Sequence, residues 1–563
     1  GVTATDVYGN RNFGFNGVVR LSSNDPATSP IDNVLQTGVN GGFREFPFTP
    51  YTDSDALPGG AMTLSAQDLG ASMPTYTTAG ITVNGQSATQ LFVRFPGETI
   101  TARSTGPVVL NASDAQEIGV GFQAEVIALD AFGNLDTGAS LTDVEISTDD
   151  PGDAGPFNAA LASGIAAFTL TPSVEGPISV SIDAHTPMSL TMVGARSYRA
   201  YPIVLGQAGG GANGAATSAT GLTLPTSVAI DESSATRRAF VADTDNHRIL
   251  GWTSADALAN GQAASLVIGQ SDLASGGCNR GNAPGAADSN RLCEPRGLAL
   301  DSQGRLWVAD TLNNRILRFN DPFGTDLIAD LVLGQANFTS GAANRGGSVA
   351  SNTLSGPTDV EVDASGNVWV ADTGNNRVLR FDAPGDTTAD LVVGQTNFTS
   401  GSCNAGSTPT AGRLCGPMGL ALSGTTLWVA DTLNNRVLRF PTPANNTADL
   451  ALGQGSLTSS DCNGAGMSVG STTLCLPEDV TPGAGTDLYV SDSANHRVLY
   501  YNNPTVSGFP ASSALGQPNL TSGSANNPAL DITTLSAPAD LAWWAGALFI
   551  ADSANNRVVG RVP

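Results

Sequence analysis

The chain has no lysine. All 25 of its basic residues are arginine, set against 50 acidic ones, for a net charge of −25. An acidic surface of this kind repels polyphosphate, which argues against nucleic-acid binding, and it disfavours anionic membrane surfaces for the same reason. Charged residues of both signs make up only 13% of the 563 positions, about half the usual share. No apolar run is long enough to span a bilayer as a helix. The opening GVTATDVYGN has neither a basic region nor an apolar one, so no signal peptide is read there, and the sequence reads as a mature or excised piece. Histidine is scarce, with three residues (His185, His247, His496), and there are six cysteines. Motifs such as G-x-S-x-G, H-E-x-x-H, a P-loop or a dinucleotide fingerprint do not occur in a fitting context.

Glycine and proline are abundant instead, 66 and 32 residues, which implies many turns and many short strands. Self-similarity organises most of the chain. FVADTDNHRIL, LWVADTLNNRILRF, VWVADTGNNRVLRF, LWVADTLNNRVLRF, LYVSDSANHRVLYY and LFIADSANNRVVGR end on, or contain, Arg248, Arg315, Arg377, Arg436, Arg497 and Arg557. Each reads as strand, polar turn, strand. A short apolar run after a proline precedes each copy, and a run of the form VLGQ, VIGQ, VVGQ or ALGQ also occurs six times. Six units of four short strands predict a six-bladed β-propeller. The last unit stops after its third strand, whereas YPIVLGQ at 201–207 precedes the first full unit. That segment is expected to latch the ring by supplying the missing fourth strand, which also removes an exposed edge.

The repeated Asp-x-x-Asn-Asn/His-Arg turn after an apolar strand resembles the NHL-repeat propeller family over residues 199–563. The resemblance implies the fold and leaves activity open, because propellers host unrelated functions. Some relatives in this class are lyases or lactonases with an axial metal held by histidines, and this chain has no matching histidine set. Asp310, Asn313, Arg315, Asp372, Asn375, Arg377, Asp431, Asn434 and Arg436 recur too regularly to form a unique site. They read as turn-shaping groups, with each arginine fork bridging carboxylate and carbonyl oxygens.

The cysteines fall in three of the six loops that run from a GQ sequence to the next proline: Cys278 and Cys293, Cys403 and Cys415, Cys462 and Cys475. No loop has just one. Two thiolates per loop are too few for structural zinc, and no CxxC motif is present. Three intraloop disulfides are therefore expected, each adding about 3 kcal/mol in the chain-entropy model. They point to an oxidising compartment, with the protein secreted or at the cell surface.

The first two hundred residues follow another pattern. VTATDVYGNRNFGFNGVVRLSSNDP aligns with VIALDAFGNLDTGASLTDVEISTDDP, and both spans resemble bacterial Ig-like surface-protein modules. FVRFPGETITARSTG resembles the linker of such modules. The expected organisation is all-β: Ig-like β-sandwich modules at 1–97 and 98–198, then the propeller at 199–563. The first module is expected to lack its opening strand, a slot that strand addition from another segment or subunit would fill.

Three further sets of residues are candidates. Asp359, Asp479 and Asp540 occupy the same position on three inner strands and would share a ring near the tunnel mouth, with Glu361 and Glu478 close by; calcium is the expected cation there. Asp6, Asn10, Asp130, Asn134 and Asp136 lie in the Gly-Asn turns of the two modules and suit either calcium or turn formation. The sequons at Asn337, Asn397 and Asn519 recur after GQ, which favours a turn role. The functional expectation is a non-catalytic extracellular structural or adhesive protein, a candidate subunit of a surface fibre or layer, with a protein or glycan partner. The alternatives are a propeller enzyme with an axial metal and a glycan- or peptide-binding module.

Overall fold

The computed structural model describes residues 88–563 apart from short stretches at 102–107, 110–115, 132–133, 175, 184–190, 193–195, 208, 210, 232–236, 283–285, 325–326, 383–386 and 467. Before residue 88 it describes six strand segments. Every regular element described is a β-strand or a 3-10 turn. The chain divides into two compact units, residues 1–174 with 178–198 and residues 175–177 with 199–563.

The second unit contains six four-stranded antiparallel sheets, numbered 1 to 6 in chain order by their first strands Pro225–Ile230, Pro295–Leu300, Asp359–Val362, Pro417–Ser423, Pro477–Pro482 and Pro538–Trp544. Sheet 3 shows the plan: Asp359–Val362, Val368–Asp372, Arg377–Phe381 and Leu391–Val393, each paired with the next. The second strand VWVAD is buried at every residue, as befits a strand that lies between neighbouring sheets, and it reads as a nearly continuous apolar run. Sheet 6 is composite. Its first three strands are Pro538–Trp544, Ala547–Asp552 and Arg557–Arg561, and its fourth is Ile203–Leu205, with Val204 opposite Val559. The latch expected from the sequence is thus in place.

A set of side-chain bonds carries each sheet to the next and closes the ring. The hydroxyl after each repeat aspartate donates to the carbonyl of the proline that opens the following inner strand. Thr244 reaches Pro295, Thr311 reaches Pro357, Thr373 reaches Pro417 and Thr432 reaches Pro477. Ser493 reaches Pro538, and Ser553 returns to Pro225. The residue before each repeat arginine adds a second clasp from a left-handed backbone, φ 53–54° in all six copies. Asn314, Asn376, Asn435 and Asn556 accept at Oδ1 from the N–H of Gly356, Gly416, Leu476 and Leu224 in the next loop. His247 and His496 accept at Nδ1 from Glu294 and Ala537. Asparagine and histidine alternate here because both offer a short-reach acceptor.

Within a sheet the repeat aspartate, asparagine and arginine form one closed network. Asp372 accepts the Ser355 N–H on one oxygen and takes Asn375 and Arg377 Nε on the other, at 2.8 and 2.7 Å. Arg377 then donates to the carbonyls of Phe398, Ala350 and Thr353. Both charged side chains are 0% exposed, here and in the five equivalent pairs. The GQ runs serve the same loops. Gln395 donates to the carbonyls of Asn376 and Ser402. The glycine before it has φ +90°, and a Cβ there would sit 2.5 Å from the Leu414 side chain, so only glycine fits.

The three disulfides are Cys278–Cys293, Cys403–Cys415 and Cys462–Cys475, closing separations of 15, 12 and 13 residues. The second cysteine of each pair also donates its backbone N–H to the repeat aspartate of its sheet, Asp310, Asp431 or Asp492. The recurring sequons form turns, as in Asn397, whose Oδ1 accepts Thr399 N–H, Thr399 Oγ1–H and Ser400 Oγ–H.

In the first unit, one sheet orders Gln116–Glu117, Arg196–Tyr201, Gly176–Asp183, Leu141–Thr148 and Phe157–Leu161. The other orders Ile165–Leu170, Phe122–Leu129, Gln90–Arg94 and Thr191–Met192. Gln90–Arg94, on the near side of the expected 97/98 boundary, is a strand of this second sheet. Its sequence resembles a linker, yet it pairs with Phe122–Leu129, Arg94 contacts Glu125, and the N–H of Ala88 donates to Asp136. Its three central residues, Leu91, Phe92 and Val93, are buried, and this burial outweighs the linker-like polar flank. Asp130 and Asp136 are engaged in turn bonds, from Asn134 and from Ala88 and Gly138. Asp6, Asn10 and the connections of the first module lie outside the described residues, and so does the expectation of a missing strand.

The Asp–Arg network yields a stability prediction. Arg377→Met removes the cation and leaves Asp372 buried without it, so chemical denaturation should show a loss of about 3–5 kcal/mol. A loss below 1 kcal/mol would mean that the pair contributes little to the ring.

Candidate functional site

The inner strands of all six sheets enclose an axial cavity of about 670 Å³. Its wall mixes apolar side chains, Val228, Leu298, Leu420, Val480, Leu541 and Trp543 from five sheets, with the carboxyls of Asp231, Asp301, Asp359, Glu361, Asp479 and Asp540. A much smaller space of about 30 Å³ adjoins the same three ring aspartates and is lined by Arg296 and Glu478. Asp359, Asp479 and Asp540 therefore border both spaces, which is where the shared strand position was expected to put them.

Their bonds give them a structural task. Asp359 accepts the N–H of Leu420 at 2.8 Å, Asp479 that of Leu541 at 3.1 Å, and Asp540 that of Val228 at 2.8 Å. Each donor belongs to the next inner strand round the ring. Ser227 does the same for Leu298 at 3.1 Å. At the two remaining positions, Gly297 and Gly419, a Cβ would lie 2.4 and 2.5 Å from Asp359 Oδ1 and Asp479 Oδ1. The glycines make room for their neighbours' struts. The ring aspartates expected as cation ligands thus act as struts between inner strands. Among the described residues, no group of three or more His, Cys, Asp or Glu side chains is arranged to hold a metal ion.

Enclosure raises the affinity of these carboxyls for protons. Burial, reinforced by the charge of Asp540, pushes Glu361 up to about 8. Burial raises Glu478 to about 7 against the pull of Arg296. Asp540 rises to about 6 through burial, moderated by bonds from Ser227, Val228 and Asp479. Asp359 and Asp479 stand well above the usual carboxylate range, again from burial first and then from neighbouring carboxylates. Like charges confined together cannot all ionise.

Chemistry beyond proton storage finds few participants here. Among the described residues, no histidine, cysteine or lysine lines the cavity, and His247 and His496 are held in the loop clasps. The inter-sheet threonines, the second asparagines and the GQ glutamines were not assigned roles from sequence. Their sixfold recurrence, with serine or histidine in two copies, is the available signal, but the partners of Thr373, Gln395 and Asn376 lie 44, 19 and 40 residues away in sequence.

The NHL repeat family matches residues 292–319 and 354–381. Those segments are the loop ends and first three strands of sheets 2 and 3. Among solved structures, a streptogramin B lyase shares 11% identity over 64% of this chain and 96% of its own, with a TM-score of 0.34. A gluconolactonase from Xanthomonas campestris shares 16% identity over 61% and 87%, with a TM-score of 0.36. A structural genomics protein of unknown function from Bacteroides thetaiotaomicron shares 12% identity over 83% and 98%, with a TM-score of 0.40. Likenesses at this level assign no activity. No curated protein matches the chain.

Two pH responses of opposite sign follow. Folded Glu361 holds its proton to about pH 8, whereas in the unfolded chain it releases it near 4.5. Its contribution is fully present below 4.5 and falls as pH rises toward 8. Glu361→Gln should therefore raise the Tm above pH 8 relative to the native chain and change it little below pH 4.5. Equal shifts at both ends would contradict the assignment. Burial lowers His496 below its usual 6.5, and protonation at Nδ1 would abolish its bond from Ala537. The unfolded histidine takes up a proton as pH falls through 6.5 while the folded one resists, so stability is lost below 6.5. His496→Asn, the residue four other sheets use, should remove that loss, and thermal melts on either side of pH 6.5 will show it.

Proposed function

We propose that this is an extracellular, non-catalytic structural or adhesive protein, in which Ig-like modules serve as a stalk or assembly arm and the propeller as a rigid head. The observation that carries the reading is the commitment of the axial carboxyls to inter-sheet bonds, with no nucleophile and base paired beside them. Catalysis by a positioned acid or base needs a group within reach of a reacting atom and poised to exchange its proton. The three disulfides support an oxidising location, and no helix among the described residues is long and apolar enough to cross a membrane. The net charge of −25 supports a partner other than nucleic acid, either a protein or a glycan at a surface. Strand addition to the first module would extend such heads into a fibre or layer.

The test uses the full chain. Flow cytometry with labelled protein on intact cells should show saturable binding, while incubation with lactones and with streptogramin B should show no turnover. Turnover abolished by a chelator would overturn the reading in favour of a propeller enzyme. Non-reducing peptide mapping of native material should return the three intraloop disulfides, and free thiols at those positions would count against the location.

A further inference from the structure

Sheet 4 departs from its neighbours at the hairpin joining its first two strands. In sheet 2 the hairpin holds Asp301, whose Oδ2 accepts the indole N–H of Trp307 at 3.0 Å. In sheet 3 Asp363 does the same for Trp369 at 3.2 Å. In sheet 4 the turn is shorter, with Ser423 opposite Thr426, and Ser423 stands where the aspartate would be. Trp428 keeps the shared position and is 5% exposed, with Arg439 lying over its ring at 5.7 Å. Among the described residues nothing accepts its indole N–H. The ring is buried, but the N–H itself is not sealed from solvent; it is open at the pocket that Trp428 lines.

The space left by the short hairpin is a pocket of about 170 Å³ between sheets 4 and 5. Trp428, Ser423, Thr426, Asp487 and Asn503 line it, and Pro482 and Pro504 supply apolar wall. Asp487 already accepts the Tyr500 hydroxyl at 2.7 Å and has further lone pairs to offer. Arg439 is held by both oxygens of Asp449, at 2.8 and 2.9 Å. The guanidinium is thus already paired with Asp449, and Asp487 adds a carboxylate to the pocket wall, which weighs against an anionic occupant.

We infer that this pocket binds a neutral polyhydroxylated group, one sugar residue, whose hydroxyl oxygen accepts the Trp428 indole N–H and whose hydroxyl hydrogen goes to Asp487. A hydroxyl is both donor and acceptor, so it answers both groups at once, and a sugar's C–H face suits the two prolines. The inference deepens the adhesive reading by naming a partner chemistry, and it rests on that reading.

The indole N–H resonances of the full chain provide the test, with that of Trp428 assigned by its loss in Trp428→Phe. Methyl glycosides of glucose, galactose, mannose and N-acetylglucosamine are the probes, with glucuronate as the anionic control. At least one neutral glycoside should shift the Trp428 resonance and leave those of Trp307 and Trp369 in place. Trp428→Phe keeps the ring packing and should weaken binding, read by calorimetry, roughly three- to tenfold. Ser423→Asp installs the carboxylate of sheets 2 and 3 and should abolish it. No shift with any neutral probe, binding indifferent to both substitutions, or tighter binding of glucuronate than of every neutral sugar would each overturn the proposal. Cell binding that survives both substitutions removes this site and leaves the adhesive reading standing. Sugar binding at Trp428 without any cell binding does the reverse.

Discussion

The buried pair between each repeat aspartate and the arginine five residues on is the constraint around which the propeller is built. Taking both charges out of water costs several kcal/mol per ion. The arrangement is tolerable because the remaining donors and acceptors are largely met. Asp372 has bonds on both oxygens, and Arg377 satisfies its outer nitrogens with three carbonyls from two different loops. The pair therefore fixes loop geometry more than it adds stability. Lysine, a point charge with three donors, cannot replace a planar fork that addresses four acceptors, in keeping with a repeat that uses arginine in all six copies.

Fixing the loops in turn fixes the ring. The residue between the pair's asparagine and its arginine points its acceptor at the next loop, and the hydroxyl after the aspartate points at the next inner strand. Near the axis, Ser227, Asp359, Asp479 and Asp540 tie the inner strands together. The same enclosure that lets the aspartates act as struts raises their proton affinity. The ring is thus favoured by acid near its axis through Glu361 and weakened by acid at its loops through His247 and His496. Disulfides in three of the six loops add covalent closure where the hydrogen-bond scheme is already complete.

Much of this is visible in the sequence because it repeats. The six sheets, the latch at 201–207, the cysteine pairs and the turn role of Asp310, Asn313 and Arg315 all follow from comparing copies. What failed to appear lies between copies or in single departures from the pattern. Asp359 reads equally well as a ligand and as a strut until the N–H of Leu420, sixty-one residues on, is seen opposite it. Gln90–Arg94 reads as linker because its apolar core is only three residues long. Ser423 looks like a neutral surface change until the Trp428 indole is found without the acceptor its counterparts have.

Native-state hydrogen exchange of the loop-end amides of Cys293, Ser355, Cys415, Cys475 and Ser536 tests the account most directly. Each of these N–H groups is donated to the repeat aspartate of its own sheet. If the networks hold one closed ring, all five should exchange only through a common opening with the same free energy as global unfolding. Separate free energies, with some sheets opening well below the global value, would contradict it.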